Sequence, residues 1–149
     1  MRRTKRAAGY VAATIACLFA AGCGGGPDLP MTKVSGRVTF NGGPPPKVGS
    51  IAFSLVPGTG TKGLPYRPGS APFRTDGQFV VNSFAEGDGL LPGTYKVRIT
   101  CLSAAPSQGP LESLSYVPLD WAPEELVITG DQESVVVQYD VPPKKARGN

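Results

Sequence analysis

Histidine is missing from all 149 residues. Its absence removes the Ser-His-Asp and Cys-His catalytic arrangements and every zinc site that uses an imidazole. Cysteine is almost as scarce: of three, Cys17 lies inside an apolar N-terminal run, Cys23 directly follows it, and only Cys101 falls in the patterned part of the chain. One thiol builds neither a disulfide framework nor a thiolate metal cluster, so the core has to hold by packing. Long apolar runs are also lacking. The uncharged stretch Ala7–Ala21 has 15 residues, against the roughly 20 that a membrane-spanning helix requires.

What precedes and follows that stretch gives it a role. Arg2, Arg3, Lys5 and Arg6 form a positive head, the apolar run follows, and Ala20-Ala21-Gly22 ends it in small residues, which is the pattern of a cleaved targeting segment over 1–22. The charge balance then changes. Four of the 15 Lys and Arg lie in that segment with no acid, so the remaining eleven cations meet eleven acids. A neutral body lacks the electrostatic footprint of a nucleic-acid binder, and nucleic acid is excluded as a partner. Gly and Pro number 20 and 16, a level that approaches low-complexity disorder, yet Leu, Ile, Val and Phe total 35, above the roughly one-fifth floor for a foldable chain. One domain is expected.

Cys23, placed directly after Ala20-Ala21-Gly22, resembles the lipobox cysteine of bacterial lipoproteins. There the thiol takes a diacylglycerol, the leader is cut just before it, and the new amino terminus is often acylated as well. Leu usually stands three residues before the cysteine; here that position is Ala20, with Leu18 and Phe19 further back. The same small residues also suit ordinary signal-peptidase cleavage after Gly22. Acylation has a large physical consequence, because each buried methylene contributes about 0.8 kcal/mol and two or three chains make a stable anchor. Gly24-Gly25-Gly26 and the residues up to 32 then form a flexible tether that holds a folded body off the bilayer. The expected organisation is a signal peptide 1–22, a lipidated Cys23 with tether 23–32, a β-domain 33–141 and a disordered basic tail 142–149. Such a protein is exported and lipid-anchored in the cell envelope, at the outer membrane or the outer face of the inner membrane.

From Lys33 onward the dominant period is two. Val34, Val38 and Phe40 share one face of the first run; Ile51, Phe53 and Leu55 repeat the pattern, as do Phe79 with Val81, Tyr95 with Val97, Ile99 and Cys101, Leu126 with Ile128, and Val135 with Val137, Tyr139 and Val141. Turn signals such as "NGGPPP", "TDG", "LPGT" and "TGDQ" separate them. Six clear strands, with one or two weaker ones, predict an all-β sandwich. Alternation of Thr94, Lys96, Arg98 and Thr100 with apolar partners gives "TYKVRITC" one wet and one dry face, as in an antiparallel sheet covered on a single side. Cys101 continues the dry face and reads as a small hydrophobe. Two long connections, 57–72 and 102–123, remain as loops, a length that marks functional or disordered segments.

In this order the strands resemble the carboxypeptidase regulatory-like, or transthyretin-like, domain of small bacterial lipoproteins. The likeness is carried by "VSGRVTFNGGPPP" (34–46), "FRTDGQFVV" (73–81), "GDGLLPGTYKVRIT" (87–100), and "YVPLDWAPEELVIT" followed by "VVVQYDV". The resemblance implies a seven-stranded antiparallel sandwich, prealbumin-like or Ig-like, without catalytic residues. The residues themselves give structural reasons for these motifs. Asp76-Gly77 suits a hairpin turn with φ > 0, and Tyr95 is placed to bond back to the backbone as in a tyrosine corner.

Chemistry is thin. Glu86 with Asp88 and Glu124 with Glu125 are the two local carboxylate groups, and neither has the spacing of a calcium loop. No cofactor, metal or catalytic residue is expected. Aromatic side chains give the binding lead: Tyr66, Phe73, Tyr116 and Trp121 lie in or beside the long loops, where flat rings stack on sugars or grip a protein, and Tyr66, Tyr116 and Trp121 are the candidate contacts. The competing reading makes Tyr116 and Trp121 part of the core. The function expected is a non-enzymatic, membrane-anchored lipoprotein in envelope structure or protein contact, the alternative a carbohydrate-binding module, and the partners a bilayer through Cys23 and an envelope protein or glycan.

Overall fold

The structure, a computed structural model, describes residues 28–144. The expected signal peptide 1–22, the expected lipidation at Cys23 with the tether as far as residue 27, and residues 145–149 of the expected tail lie outside them. Seven strands follow in chain order: β1 Lys33–Phe40, β2 Gly49–Leu55, β3 Gly69–Phe73, β4 Gln78–Val80, β5 Gly93–Cys101, β6 Leu126–Ile128 and β7 Ser134–Val141. They form two sheets, a three-stranded one in the order β4-β1-β7 and a four-stranded one in the order β3-β2-β5-β6.

Alternation decides which face of each strand turns inward. Along β5 every second residue, Gly93, Tyr95, Val97, Ile99 and Cys101, is buried, while Lys96, Arg98 and Thr100 are exposed. Val34 and Val38 of β1, Ile51, Phe53 and Leu55 of β2, Phe79 of β4 and Val141 of β7 join them in one cluster shared by both sheets. Phe53 and Phe79 bridge the sheets with ring centroids 6.3 Å apart. Each fully buried Val, Ile, Leu or Phe contributes about 1.5–3 kcal/mol, so this layer is the main source of cohesion.

Turns fix the registers. Asn41 (φ 50°) and Gly42 (φ 75°) form a two-residue turn of the primed type. The N–H of Phe40 donates to the Gly43 carbonyl at 2.9 Å and that of Gly43 to the Phe40 carbonyl at 3.0 Å. The Arg74–Gly77 turn closes with a 2.9 Å bond from the Gly77 N–H to the Arg74 carbonyl. Gly77 has φ +76°, as the Asp76-Gly77 pair predicts.

Two differences from the sequence expectations have physical causes. The sandwich was expected to be antiparallel throughout, but β1 and β7 run parallel over eight residue pairs, Lys33↔Ser134 to Phe40↔Val141. Side-chain period specifies which face is apolar and carries no information about strand direction. β1 and β7 are the first and last strands, joined through the whole domain rather than by a short turn, so connection length leaves either direction open. The second difference is in the two long connections. β3 begins inside 57–72, and 102–123 contains a 3₁₀ turn, Pro106–Gln108, and a single helical turn α1, Leu111–Leu114.

The Thr75-Asp76-Gly77 turn also does more than join a simple hairpin. β3 belongs to one sheet and β4 to the other, and they touch through mutual 2.9 Å bonds between Ser70 and Asn82. This connection closes one flank of the two-sheet body. Thr32, within the stretch read as tether, is fully buried and pairs with Leu90.

Candidate functional site

Tyr95 shows how the local sequence sets geometry. Pro92-Gly93 turns the chain into β5, and the buried Tyr95 hydroxyl donates to the Leu91 carbonyl at 2.9 Å. Burial raises the pKa of this phenol, with the bond to Leu91 opposing. At the same end of the four-stranded sheet, the 57–68 loop folds back so that the Tyr66 hydroxyl donates to the Leu55 carbonyl at 3.0 Å. Pinned at its oxygen, the Tyr66 ring remains 64% exposed. It borders a cavity of about 210 Å³ lined by Leu55, Gly60, Lys62, Leu64 and Pro92 among others. This half-open cavity combines apolar walls with one cation, Lys62.

Tyr116 and Trp121 stand elsewhere. The Tyr116 N–H donates to the Cys101 carbonyl at 2.8 Å, at the opposite end of β5 from Tyr95. Both Tyr116 and Trp121 are half-buried and pack against the core cluster. The three candidate aromatics therefore do not converge on one site. Tyr66 is the one of the three whose ring is free. A second, open depression of about 590 Å³ lies beside α1, between Pro110, Glu112, Pro118, Leu119, Asp120 and Lys144. The Lys144 ammonium donates to the Glu112 carbonyl at 2.6 Å and ties the start of the C-terminal tail to α1.

The titratable groups with altered pKa are engaged in holding the fold. Desolvation pushes Asp88 upward, but backbone N–H groups of Ser83, Ala85, Phe84 and Asp88 itself outweigh it and hold the carboxyl below the usual carboxylate range. Oδ1 accepts from Ser83 at 2.8 Å, and Oδ2 accepts from Phe84 and Ala85 at 2.8 Å each. Asp140 is likewise lowered, chiefly by the Gly42 N–H and then by the Thr39 hydroxyl. Burial raises the Cys101 thiol, whose Sγ donates to the Lys47 carbonyl at 3.4 Å. Burial pushes Tyr139 up to about 12. Glu86, Glu124 and Glu125 are exposed. Among the described residues no three of Cys, Asp and Glu stand close enough together to hold a metal ion.

Comparison of the chain with protein-family models, with curated proteins and with solved structures finds no match. Sequence reasoning named Tyr66 but missed its company. Lys62, Leu64 and Pro92 are separated in sequence and come together because the loop after β2 returns to the start of β5; the run of glycines at 58, 60 and 63 was the available signal for a tightly folded loop. Among the described residues no helix is long and apolar enough to cross a membrane.

Proposed function

We propose that this protein is a non-catalytic β-sandwich of the carboxypeptidase regulatory-like kind, tethered to a bacterial envelope membrane by acyl chains on Cys23, and that it serves envelope structure or protein contact. One observation carries the reading. The groups best suited to chemistry are occupied in structural bonds: the Cys101 thiol on the Lys47 carbonyl, the Asp88 and Asp140 carboxylates on backbone N–H groups of adjoining turns, and the Tyr95 hydroxyl on the Leu91 carbonyl. A nucleophile needs an exposed, activated group, and a thiol raised by burial is neither. The sequence around Cys23 supports the anchor, and the glycines after it supply reach.

Intact-mass analysis and detergent partitioning of the full chain from a bacterial host test this reading. The wild type is expected to begin at Cys23, carry acyl mass and enter the detergent phase. Cys23→Ser is expected to lose all three. A native product that begins elsewhere and stays in the aqueous phase overturns the anchor.

A second reading, a carbohydrate-binding module, is favoured by the ring of Tyr66 lying open beside an apolar, Lys62-bearing cavity. Titration with envelope glycans supports it only if Tyr66→Ala abolishes the response while the fold persists.

A further inference from the structure

We infer that the outer edge of β7 pairs, antiparallel, with the same edge of a second copy of this chain. β7 ends the order β4-β1-β7, so one side of it meets β1 and the other meets no strand among the described residues. The parity of the ladder tells which groups face out. The Lys33 N–H donates to the Glu133 carbonyl at 3.1 Å and the Asn41 N–H to the Val141 carbonyl at 2.9 Å. In a parallel pair alternate residues bond to the same neighbour. Val135, Val137 and Tyr139 therefore direct their backbone groups to β1, while Ser134, Val136, Gln138 and Asp140 direct theirs outward.

Natural edges are usually blunted by lysine, proline, a bulge or a covering loop. "SVVVQYDV" has neither lysine nor proline nor glycine, and it pairs with β1 without a bulge over its full length. Its single charge, Asp140, accepts bonds from Gly42 and Thr39 of its own chain. Val136 is 79% exposed, the highest of the exposed large hydrophobics among the described residues. The inward residues Val135, Val137 and Tyr139 pack on the core but stay only half-buried. The β3–β4 connection joins the two sheets at the opposite edges, β3 of one and β4 of the other.

A second copy fits this edge because the exposed row is complementary to itself. With Val136 on a two-fold axis, valine faces valine, Ser134 faces Gln138 and Asp140 faces Gln132, so no like charges oppose. Each outward-facing pair exchanges two backbone bonds, and the two three-stranded sheets become one continuous sheet. On the inner face, Val135 of one copy comes beside Val137 of the other and extends the apolar layer across the junction. The pairing stands apart from the proposed anchor, since the residues it brings face to face lie between Gln132 and Asp140 and none is Cys23 or part of the tether.

Sedimentation of the full chain in mild detergent, from about 1 to 300 μM, tests the pairing over the range expected for a small edge interface. The wild type is expected to pass from monomer to dimer. Val136→Lys, which sets two ammonium groups face to face at an exposed position, should weaken the dimer about 10- to 100-fold. Gln138→Pro removes an outward N–H and leaves every bond to β1 in place, so it should act alike without loss of the β circular dichroism. Val127→Lys, at an exposed valine on β6, should leave the dimer intact. Amide exchange at Val136 and Gln138 should slow as concentration rises. A chain that stays monomeric throughout, a dimer that survives Val136→Lys and Gln138→Pro, or one weakened equally by Val127→Lys overturns the inference.

Discussion

Asp88→Asn isolates what one carboxylate does for the loop between β4 and β5. In the wild type its two oxygens take three backbone N–H groups, from Ser83, Phe84 and Ala85, at 2.8 Å each. Asparagine keeps one acceptor. If that oxygen stays on Ser83, the new NH₂ group points at the N–H groups of Phe84 and Ala85, donor against donor. Hydrogen bonds to a charged group contribute about 1.5–3 kcal/mol each, but Phe84 and Ala85 are exposed and water replaces part of the loss. A net cost of about 2 kcal/mol follows, which lowers Tm by about 8 °C for a domain of this size. The pH dependence is sharper evidence than the size. Because the folded-state pKa of Asp88 is lowered, its contribution is complete above the unfolded value near 4 and disappears as pH falls from there through the folded value. Asparagine does not titrate. Urea unfolding followed by tryptophan fluorescence should therefore show a wide gap between wild type and variant at about pH 7 that narrows steadily below about pH 4. Asp140, also lowered, is present in both chains and cancels in the difference. An equal gap at both pH values, or none at either, refutes the assignment of Asp88 as the charged clasp of this loop.

Three further outcomes follow from single contacts. Gly77→Ala places a Cβ 2.1 Å from the Val38 carbonyl oxygen at a backbone with φ +76°, so it should cost more than about 2 kcal/mol and be seen as a large drop in urea midpoint. Tyr95→Phe leaves the buried Leu91 carbonyl without its donor and should cost about 1–2 kcal/mol by the same measurement, with the native circular dichroism retained. The Cys101 thiol, fully buried and raised by that burial, should resist a thiol reagent in the folded domain and react at once in denaturant; fast labelling under native conditions contradicts its placement.

Period-two patterning made much of the fold legible. Every inward face assigned from alternation, from Val34 and Val38 through Tyr95 to Val141, is turned toward the core. The signal works because a strand has only two faces and a one-residue slip exposes the apolar set. β3 escaped it. "GSAPF" buries Gly69, Ala71 and Phe73, and two of these three are too small to register as a hydrophobic stripe. Gly69 is in fact required to be small, since a Cβ there would meet Leu90 Cδ2 at 2.4 Å and Val81 Cγ1 at 2.9 Å. What reads as a loop is a strand whose packing partners supply the bulk.

The candidate site was less legible, for a reason of a different kind. Tyr66, Tyr116 and Trp121 were grouped by residue type and by membership of long connections, but aromatic rings serve packing and recognition with the same chemistry. The deciding quantity is where the backbone carries them. The connection after β2 leaves at Leu55 and the one after β5 leaves at Cys101, which are opposite ends of the same antiparallel pair, Leu55↔Tyr95 and Gly49↔Cys101. Tyr66 stands at the Leu55 end with its ring exposed, whereas Tyr116 is held at the Cys101 end by its bond to the Cys101 carbonyl and Trp121 packs on the core. The β7 edge is the reverse case. Alternation assigns Val135 and Val137 to the inner face, yet whether the outward backbone groups of Val136 meet solvent or another strand depends on β7 being last in its sheet, an order that alternation cannot specify. Local pattern fixes faces, and topology fixes which of those faces and edges remain available to a partner.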